Sequence, residues 1–278
     1  MGLDAVPLAM SVEPRAPAQL DEMSDRVALV TGATGGIGRA IVRDLLTRGW
    51  SVLATDVCPT ADFDESPGRV RYVQADVTDV TQMSAAVDAA EELGSLVGCI
   101  ANAGVASEEF GRFVEASAQP WQATVAVNVV GTLVTFQAAA RAMVRGCGGR
   151  LLATSSVAGV RAEADLVAYS ASKAAVISIV KSLALELGAA GISVNAVAPG
   201  PVSTERQLQV IEERETGAEL AGGDAFGARY ERFRNENRPF ARMAAPEEVA
   251  AVFSWLLSDD AGYMTGQVLV LDGGGTLV

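Results

Sequence analysis

The chain contains no histidine, only two lysines and only three cysteines among its 278 residues, and aromatic residues make up 5% of it. Without histidine there is no Ser-His-Asp hydrolysis, no histidine-assisted hydride transfer and no histidine-ligated zinc. Any group that titrates near neutral pH must therefore be one that its surroundings perturb. Cys58, Cys99 and Cys147 stand 41 and 48 residues apart, which matches neither a Cys-x-x-Cys pair nor a zinc cluster. No metal site is expected, and an odd cysteine count suits a reducing compartment, so a cytoplasmic protein is expected. Positive charge is scarce as well, with 21 Lys plus Arg against 34 Asp plus Glu and a net charge of −13. Nucleic acid is excluded as a partner, because binding to its backbone relies on Lys and Arg displacing counterions.

One long uncharged run, residues 116–140, could span a bilayer by length, but it carries Gln119, Pro120, Gln122, Asn128 and Gln137. A buried helix is expected there, and no membrane partner. Residues 1–24 lack a basic leader region and are interrupted by Pro7, Pro14 and Pro17, which predicts a flexible N-terminal tail rather than a targeting segment. Residues 25–278 form a single domain.

Within that domain, apolar runs of strand length alternate with helix-length amphipathic stretches. The runs are 27–31, 51–56, 70–74, 96–101, 150–155, 192–198 and 267–271, and they are almost continuous in Val, Ile, Leu and Ala. Continuous rather than alternating apolar residues indicate strands covered on both faces. The fold class is therefore α/β, a doubly wound, Rossmann-type parallel sheet of about seven strands with helices on both faces. Such a sheet binds its ligand at the carboxyl ends of the strands, where strand order reverses. The unusually long connection at 202–239, with helix-like pieces at 205–219 and 225–236, is expected to be a substrate lid.

The first strand runs into Gly32-Ala-Thr-Gly-Gly36-Ile37-Gly38 and then into a helical pattern. Glycines at such a turn let backbone amides and the positive end of a helix approach a pyrophosphate. Asp56 ends the second strand 18 residues after Gly38, where a carboxylate accepts hydrogen bonds from both adenosine ribose hydroxyls and repels a 2′-phosphate. Val57 and Cys58 beside it offer no compensating cation, so the expected cofactor is NAD rather than NADP. Asp76, followed by Val77, either reaches the adenine amino group or caps the next helix.

Lys173 follows Tyr169 by four residues, which places both on one helix face. A tyrosine hydroxyl serves as a base near neutrality only if its phenolate gains about 4 kcal/mol of preferential stabilisation. A cation about 4 Å away at an effective dielectric of about 20 supplies roughly that much. The pair is thus sufficient without histidine, and Lys181 reads as an ordinary surface residue. Ser156 stands 13 residues before Tyr169 at the end of the fifth strand and can fix a substrate oxygen. Ser155 competes with it, since only one of the two faces the site if the strand persists. Asn128, within the uncharged run, is either a core asparagine at a backbone kink or part of a proton relay.

Together, Thr31-Gly-x-x-x-Gly-x-Gly38, Asp56, Asp76, Ala101-Asn-Ala-Gly104, Asn128, Ser156, Tyr169-x-x-x-Lys173 and Pro199-Gly200 resemble the short-chain dehydrogenase/reductase family in its compact single-domain branch. The resemblance spans residues 26–274. It implies a tetrad of Asn128, Ser156, Tyr169 and Lys173 acting on a secondary alcohol or ketone, with Tyr169 as general acid/base. It further implies that Lys173 binds nicotinamide ribose and that Asn128 holds a water leading to solvent. By the same resemblance, Ile37 would contact the cofactor through its backbone, Asn102 and Gly104 would line its ribose side, and Val202 and Thr204 would hold the carboxamide. Members of that family are commonly homotetramers or dimers. Where the family often has Asn-Asn-Ala-Gly, this chain has Ala101 first.

Two other functions compete: an NADPH-dependent 3-oxoacyl thioester reductase, which Asp56 disfavours, and a non-catalytic nucleotide-sensing protein, which has no need of the tetrad. A sugar-nucleotide epimerase needs a larger C-terminal domain than this chain supplies after Gly200. The substrate pocket is expected along 106–113, 157–167 and the 202–239 lid, with Arg161 as one candidate anchor for an acidic group. Val157, Val160, Leu166 and Val167 favour a hydrophobic hydroxy or keto compound.

Overall fold

A computed structural model of the chain describes residues 15–16, 19–21, 24–63, 68–106, 113–114, 117–164, 166–205 and 239–277. Seven strands are present among them: β1 (Arg26–Thr31), β2 (Ser51–Asp56), β3 (Val70–Gln74), β4 (Ser95–Ala101), β5 (Gly149–Thr154), β6 (Ile192–Pro199) and β7 (Val268–Leu271). They form one sheet in the order β3-β2-β1-β4-β5-β6-β7. Every pairing is parallel, as the uninterrupted apolar runs require.

Helices α1 (Gly36–Thr47), α2 (Val80–Glu91), α3 (Gln119–Val125), α4 (Gly131–Arg145), the single-turn α5 (Val157–Val160), α6 (Val167–Leu187) and α7 (Pro246–Leu257) supply the crossovers and covers. Because successive strand side chains point to opposite faces, β1 feeds two cores. Val27 and Leu29 join Met83, Phe136, Met143 and Val180 under α2, α4 and α6. Ala28 and Val30 join Ile41, Leu45, Phe253 and Leu257 under α1 and α7.

Helices α3 and α4 run on through a π-turn, Ala126–Val130, as one element, Gln119–Arg145, that is long and apolar enough to cross a membrane by length and composition. Here Phe136, Ala139 and Met143 pack it onto the sheet. The expectation of a buried helix holds on that face only, since Val125 and Val130 are each 44% exposed and Leu133 43%.

The described part of the expected loose tail is docked against the domain. Leu20 is fully buried in the core shared by α1 and α7. Asp259 accepts the backbone N–H groups of Leu20 and Asp21 at 2.9 and 3.0 Å and pairs with the buried Arg150 at 2.8 Å. Arg15 donates to the carbonyl of Gly146 at 3.0 Å, just past the end of α4. Burial of Leu20 contributes about 2 kcal/mol and the amide bonds to Asp259 add to it, against the chain entropy that prolines and polar neighbours led one to expect.

Candidate functional site

Strand order reverses between β1 and β4, and the crevice at their carboxyl ends holds a cavity of about 630 Å³. Among the predicted site residues, Gly32, Gly36, Ile37, Gly38, Asp56, Asp76, Val77, Asn102, Gly104, Ser156, Tyr169, Lys173, Pro199, Gly200, Val202 and Thr204 all line it. Asn128 alone lies behind the wall, 1% exposed.

The glycine turn forms one wall. Gly32 has φ +62°, and a Cβ on Gly38 would stand 2.1 Å from the Gly32 carbonyl oxygen, so neither position admits a side chain. Helix α1 starts from Gly35 with no side-chain cap and no acid in its first turn. Helix α2, by contrast, is capped by Asp79, whose carboxylate takes the amides of Thr81 and Gln82. The first-turn N–H donors of α1 thus meet no side-chain acceptor and open on the cavity, which fits the pyrophosphate of a dinucleotide.

At the end of β2, Asp56 Oδ2 accepts the backbone N–H of Thr34 at 3.0 Å and its hydroxyl at 2.6 Å, while Oδ1 accepts Val57 N–H at 2.8 Å. Of about four acceptor positions on a carboxylate, one remains, on Oδ1. Asp76 does not cap α2. Its Oδ1 accepts the backbone and side chain of Thr78, both at 2.8 Å, which shapes the turn that leads to the capping Asp79. Asn102 spends its side chain on structure, donating to the carbonyls of Thr31 and Gly32 and accepting from Thr154 Oγ1. It holds the β1, β4 and β5 ends together, and the backbone of 102–104 supplies the wall.

The opposite end carries the tyrosine and lysine. Tyr169 and Lys173 sit one turn apart near the start of α6, with the Lys173 Nζ 5.7 Å from the Tyr169 ring centre. Lys173 is 4% exposed and donates to the Thr154 carbonyl at 2.9 Å. Burial pushes its ammonium pKa down from 10.5 to about 8. Gly104 leaves room for that ammonium, since a Cβ there would lie 3.2 Å from Nζ and 3.3 Å from Asn128 Oδ1.

β5 ends at Thr154, so the strand alternation that would have let only one serine face inward does not apply, and Ser155 and Ser156 both line the cavity. They differ in what their hydroxyls do. Ser155 donates to the Lys173 carbonyl at 2.9 Å, whereas Ser156 Oγ accepts Ala158 N–H at 3.2 Å. The proton of the Ser156 hydroxyl meets no acceptor among the described residues, which suits it to a substrate oxygen.

Asn128 lies in the π-turn and uses its whole amide. Oδ1 accepts Val105 N–H at 2.8 Å, and Nδ2 donates to the Val105 carbonyl at 2.8 Å and to Ser172 Oγ at 2.9 Å. These are the bonds of a core asparagine at an irregular turn of helix, the first of the two readings that the sequence allowed. Thr34 and Ser172 are the participants that sequence reasoning missed. Each adjoins a recognised motif, and only the fold shows which way its hydroxyl points.

After β6, Val202 pairs with Ala244, and a Cβ on Gly36 would come within 2.9 Å of the Thr204 side chain, so this segment closes over the glycine turn. Of the expected lid at 202–239, residues 206–238 lie outside the described residues, as do residues 107–112 of the expected substrate pocket. Arg161 donates toward the Gly275 carbonyl at 3.4 Å. Lys181 is exposed, as expected. Among the described residues no group of acids, cysteines or histidines could hold a metal ion.

The family model described as Enoyl-(Acyl carrier protein) reductase matches residues 32–276. A cis-4-hydroxycyclohexanecarboxylate dehydrogenase of Sinomonas cyclohexanicum is 35% identical over 264 residues, covering 93% of this chain and 99% of the relative. An acetoacetyl-CoA reductase of a Synechocystis species is 35% identical over 253 residues, covering 90% and 96%. The crystal structure of a short-chain type dehydrogenase/reductase from Mycobacterium marinum superposes with a TM-score of 0.79 at 31% identity, covering 94% of this chain and 99% of that one. With its doubly wound sheet, its cavity at the strand reversal and these matches over nearly its whole length, the chain belongs to the short-chain dehydrogenase/reductase family, a family of oxidoreductases that use nicotinamide cofactors.

Proposed function

We propose that this protein is an NAD-dependent oxidoreductase that interconverts a secondary alcohol and a ketone, working chiefly as the oxidant of a hydrophobic hydroxy compound. The observation that carries it is one cavity with Asp56 at one end and Tyr169, Lys173 and Ser156 at the other. Gly32, Gly36, Ile37 and Gly38 would hold the pyrophosphate, Asp56, Asp76 and Val77 the adenosine, and Asn102, Gly104, Tyr169, Lys173, Pro199, Gly200, Val202 and Thr204 the nicotinamide half. Bound there, NAD supplies the carbon that accepts the hydride.

The remaining chemistry belongs to the side chains. Ser156 donates its hydroxyl proton to the substrate oxygen and fixes it beside the phenol. The buried Lys173 ammonium favours the phenolate of Tyr169, which takes the alcohol proton and becomes the neutral phenol. Asn128 acts through Val105 and Ser172, holding the 104–105 loop against α6. The relative named for a hydroxycyclohexanecarboxylate supports a ring alcohol as substrate class. The acetoacetyl-CoA reductase relative favours a second function, reduction of a 3-oxoacyl thioester with NADPH.

Titration of the purified protein with NADH and with NADPH, followed by nicotinamide fluorescence, separates the two. NADH binding tighter by about tenfold or more supports the NAD assignment, and a screen of cyclic secondary alcohols with NAD then follows. Equal or tighter NADPH binding overturns it in favour of the thioester reductase. The exposed Val125, Val130 and Leu133 support a homo-oligomer, a dimer or tetramer, which light scattering tests. Cys58, Cys99 and Cys147 all carry free thiols, which supports a cytoplasmic setting.

A further inference from the structure

We infer that Thr34 is the residue that positions the cofactor-selecting carboxylate, and that it enforces NAD over NADP by holding Asp56 in place. This rests on the assignment of Asp56 as the ribose reader. Thr34 lies within the glycine turn, between Gly32 and Gly36, and both of its donors converge on one oxygen of Asp56, the backbone N–H at 3.0 Å and the hydroxyl at 2.6 Å. Short bonds to an ionised acceptor are the strong ones. Val57 N–H holds the other oxygen at 2.8 Å.

The support for this carboxylate extends behind it. Tyr72, on the edge strand β3, donates to the carbonyl of Cys58, and Gln74 donates to the carbonyl of Val57 at 2.9 Å. Arg39, the nearest arginine in sequence to the glycine turn, is turned elsewhere. Its Nε donates to the Thr34 carbonyl at 3.0 Å, its Nη1 donates to the Asp62 carbonyl at 3.3 Å, and its guanidinium stands 5.5 Å from the centre of the Phe63 ring.

A carboxylate so held keeps its charge where a 2′-phosphate would sit, because rotating away breaks two bonds to Thr34 at once. A carboxylate on a freely turning side chain would swing aside and admit the phosphate, with counterions making up the difference. Discrimination then comes from rigidity as much as from charge, and Thr34 supplies the rigidity without touching the reacting atoms.

The test compares dissociation constants of NADH and NADPH, read by nicotinamide fluorescence, for the wild type, Thr34→Val, Thr34→Ser, Asp56→Ala and Thr34→Val/Asp56→Ala. Valine keeps the branched shape and the backbone N–H and removes only the hydroxyl. The expected result is an NADPH-to-NADH ratio about fivefold smaller in Thr34→Val, close to wild type in Thr34→Ser, and indifferent to Thr34→Val once Asp56 is alanine. Both dinucleotides weakened equally in Thr34→Val, or a ratio left unchanged, would overturn the inference while leaving Asp56 as the reader. A wild type that shows no preference for NADH would remove the assignment itself and this inference with it.

Discussion

Replacing Lys173 with methionine should make the protein more stable while abolishing turnover. The side chain is 4% exposed, and burial lowers its pKa from 10.5 to about 8. At 1.36 kcal/mol per pKa unit, the folded state carries about 3 kcal/mol of penalty for keeping that ammonium charged. Methionine fills a similar volume without charge, but leaves the Thr154 carbonyl without its 2.9 Å donor, at a cost of about 1 kcal/mol. The net expectation near pH 7 is a variant about 2 kcal/mol more stable, measured by urea unfolding at fixed protein concentration. The sign of the pH dependence follows from linkage. Because the folded pKa lies below the unfolded one, both states hold the proton below about 8 and the penalty is present in full. Between about 8 and 10.5 the unfolded chain binds more protons, so wild-type stability rises with pH and the gap to the variant closes by about pH 10. A variant less stable than wild type near neutrality, or a gap unchanged between about pH 7 and pH 10, would refute the reasoning.

Three further outcomes are expected. Gly104→Ala places a methyl group 3.2 Å from Lys173 Nζ, and kcat/KM should fall roughly ten- to a hundredfold with the unfolding midpoint nearly unchanged, as displacement of a catalytic group by part of an ångström implies. Asp259→Ala strands the buried guanidinium of Arg150 and frees the amides of Leu20 and Asp21, and should cost about 3 kcal/mol in urea unfolding. Burial alone would raise the Asp259 pKa, but the amides of Leu20 and Asp21 and the Arg150 guanidinium hold it low. Its contribution should therefore be present above the ordinary carboxylate range and lost as pH falls through the lowered value. Leu20→Ala should destabilise by about 2–3 kcal/mol if the segment is docked as described, and a neutral result by calorimetry would restore the picture of a loose tail.

The sheet was legible because most of its strands are rich in Val, Ile, Leu and Ala, β3 with its Arg71, Tyr72 and Gln74 being the exception, and all seven lie within about two residues of where those runs place them. The site was legible in its residue types but not in its bonds. Asp56 was readable as an acid at the end of a strand, yet its tether to Thr34 depends on how the glycine turn curls across β2. Asn102 and Asp76 look like ligand groups in sequence because they follow strands. In the structure both line the cavity and their side chains also hold turns together, a second use that the same letters do not reveal. Leu20 escaped notice because one leucine amid prolines and acids makes no periodic pattern, and burial by distant elements leaves no local signature.

The π-turn at 126–130 has a consequence for how this site can be lost. A π-turn holds one residue more than the α-helix around it, and removing that residue would close the helix into regular form, leaving the faces of α3 and α4 nearly where they are but displacing Asn128, which lies within the turn. Phe136, Ala139 and Met143 would keep their seats on the sheet, so the domain would still fold. Asn128 would leave Val105 and Ser172, and the loop that roofs Lys173 would lose its anchor. The surplus residue is thus what brings the Asn128 amide to Val105 and Ser172.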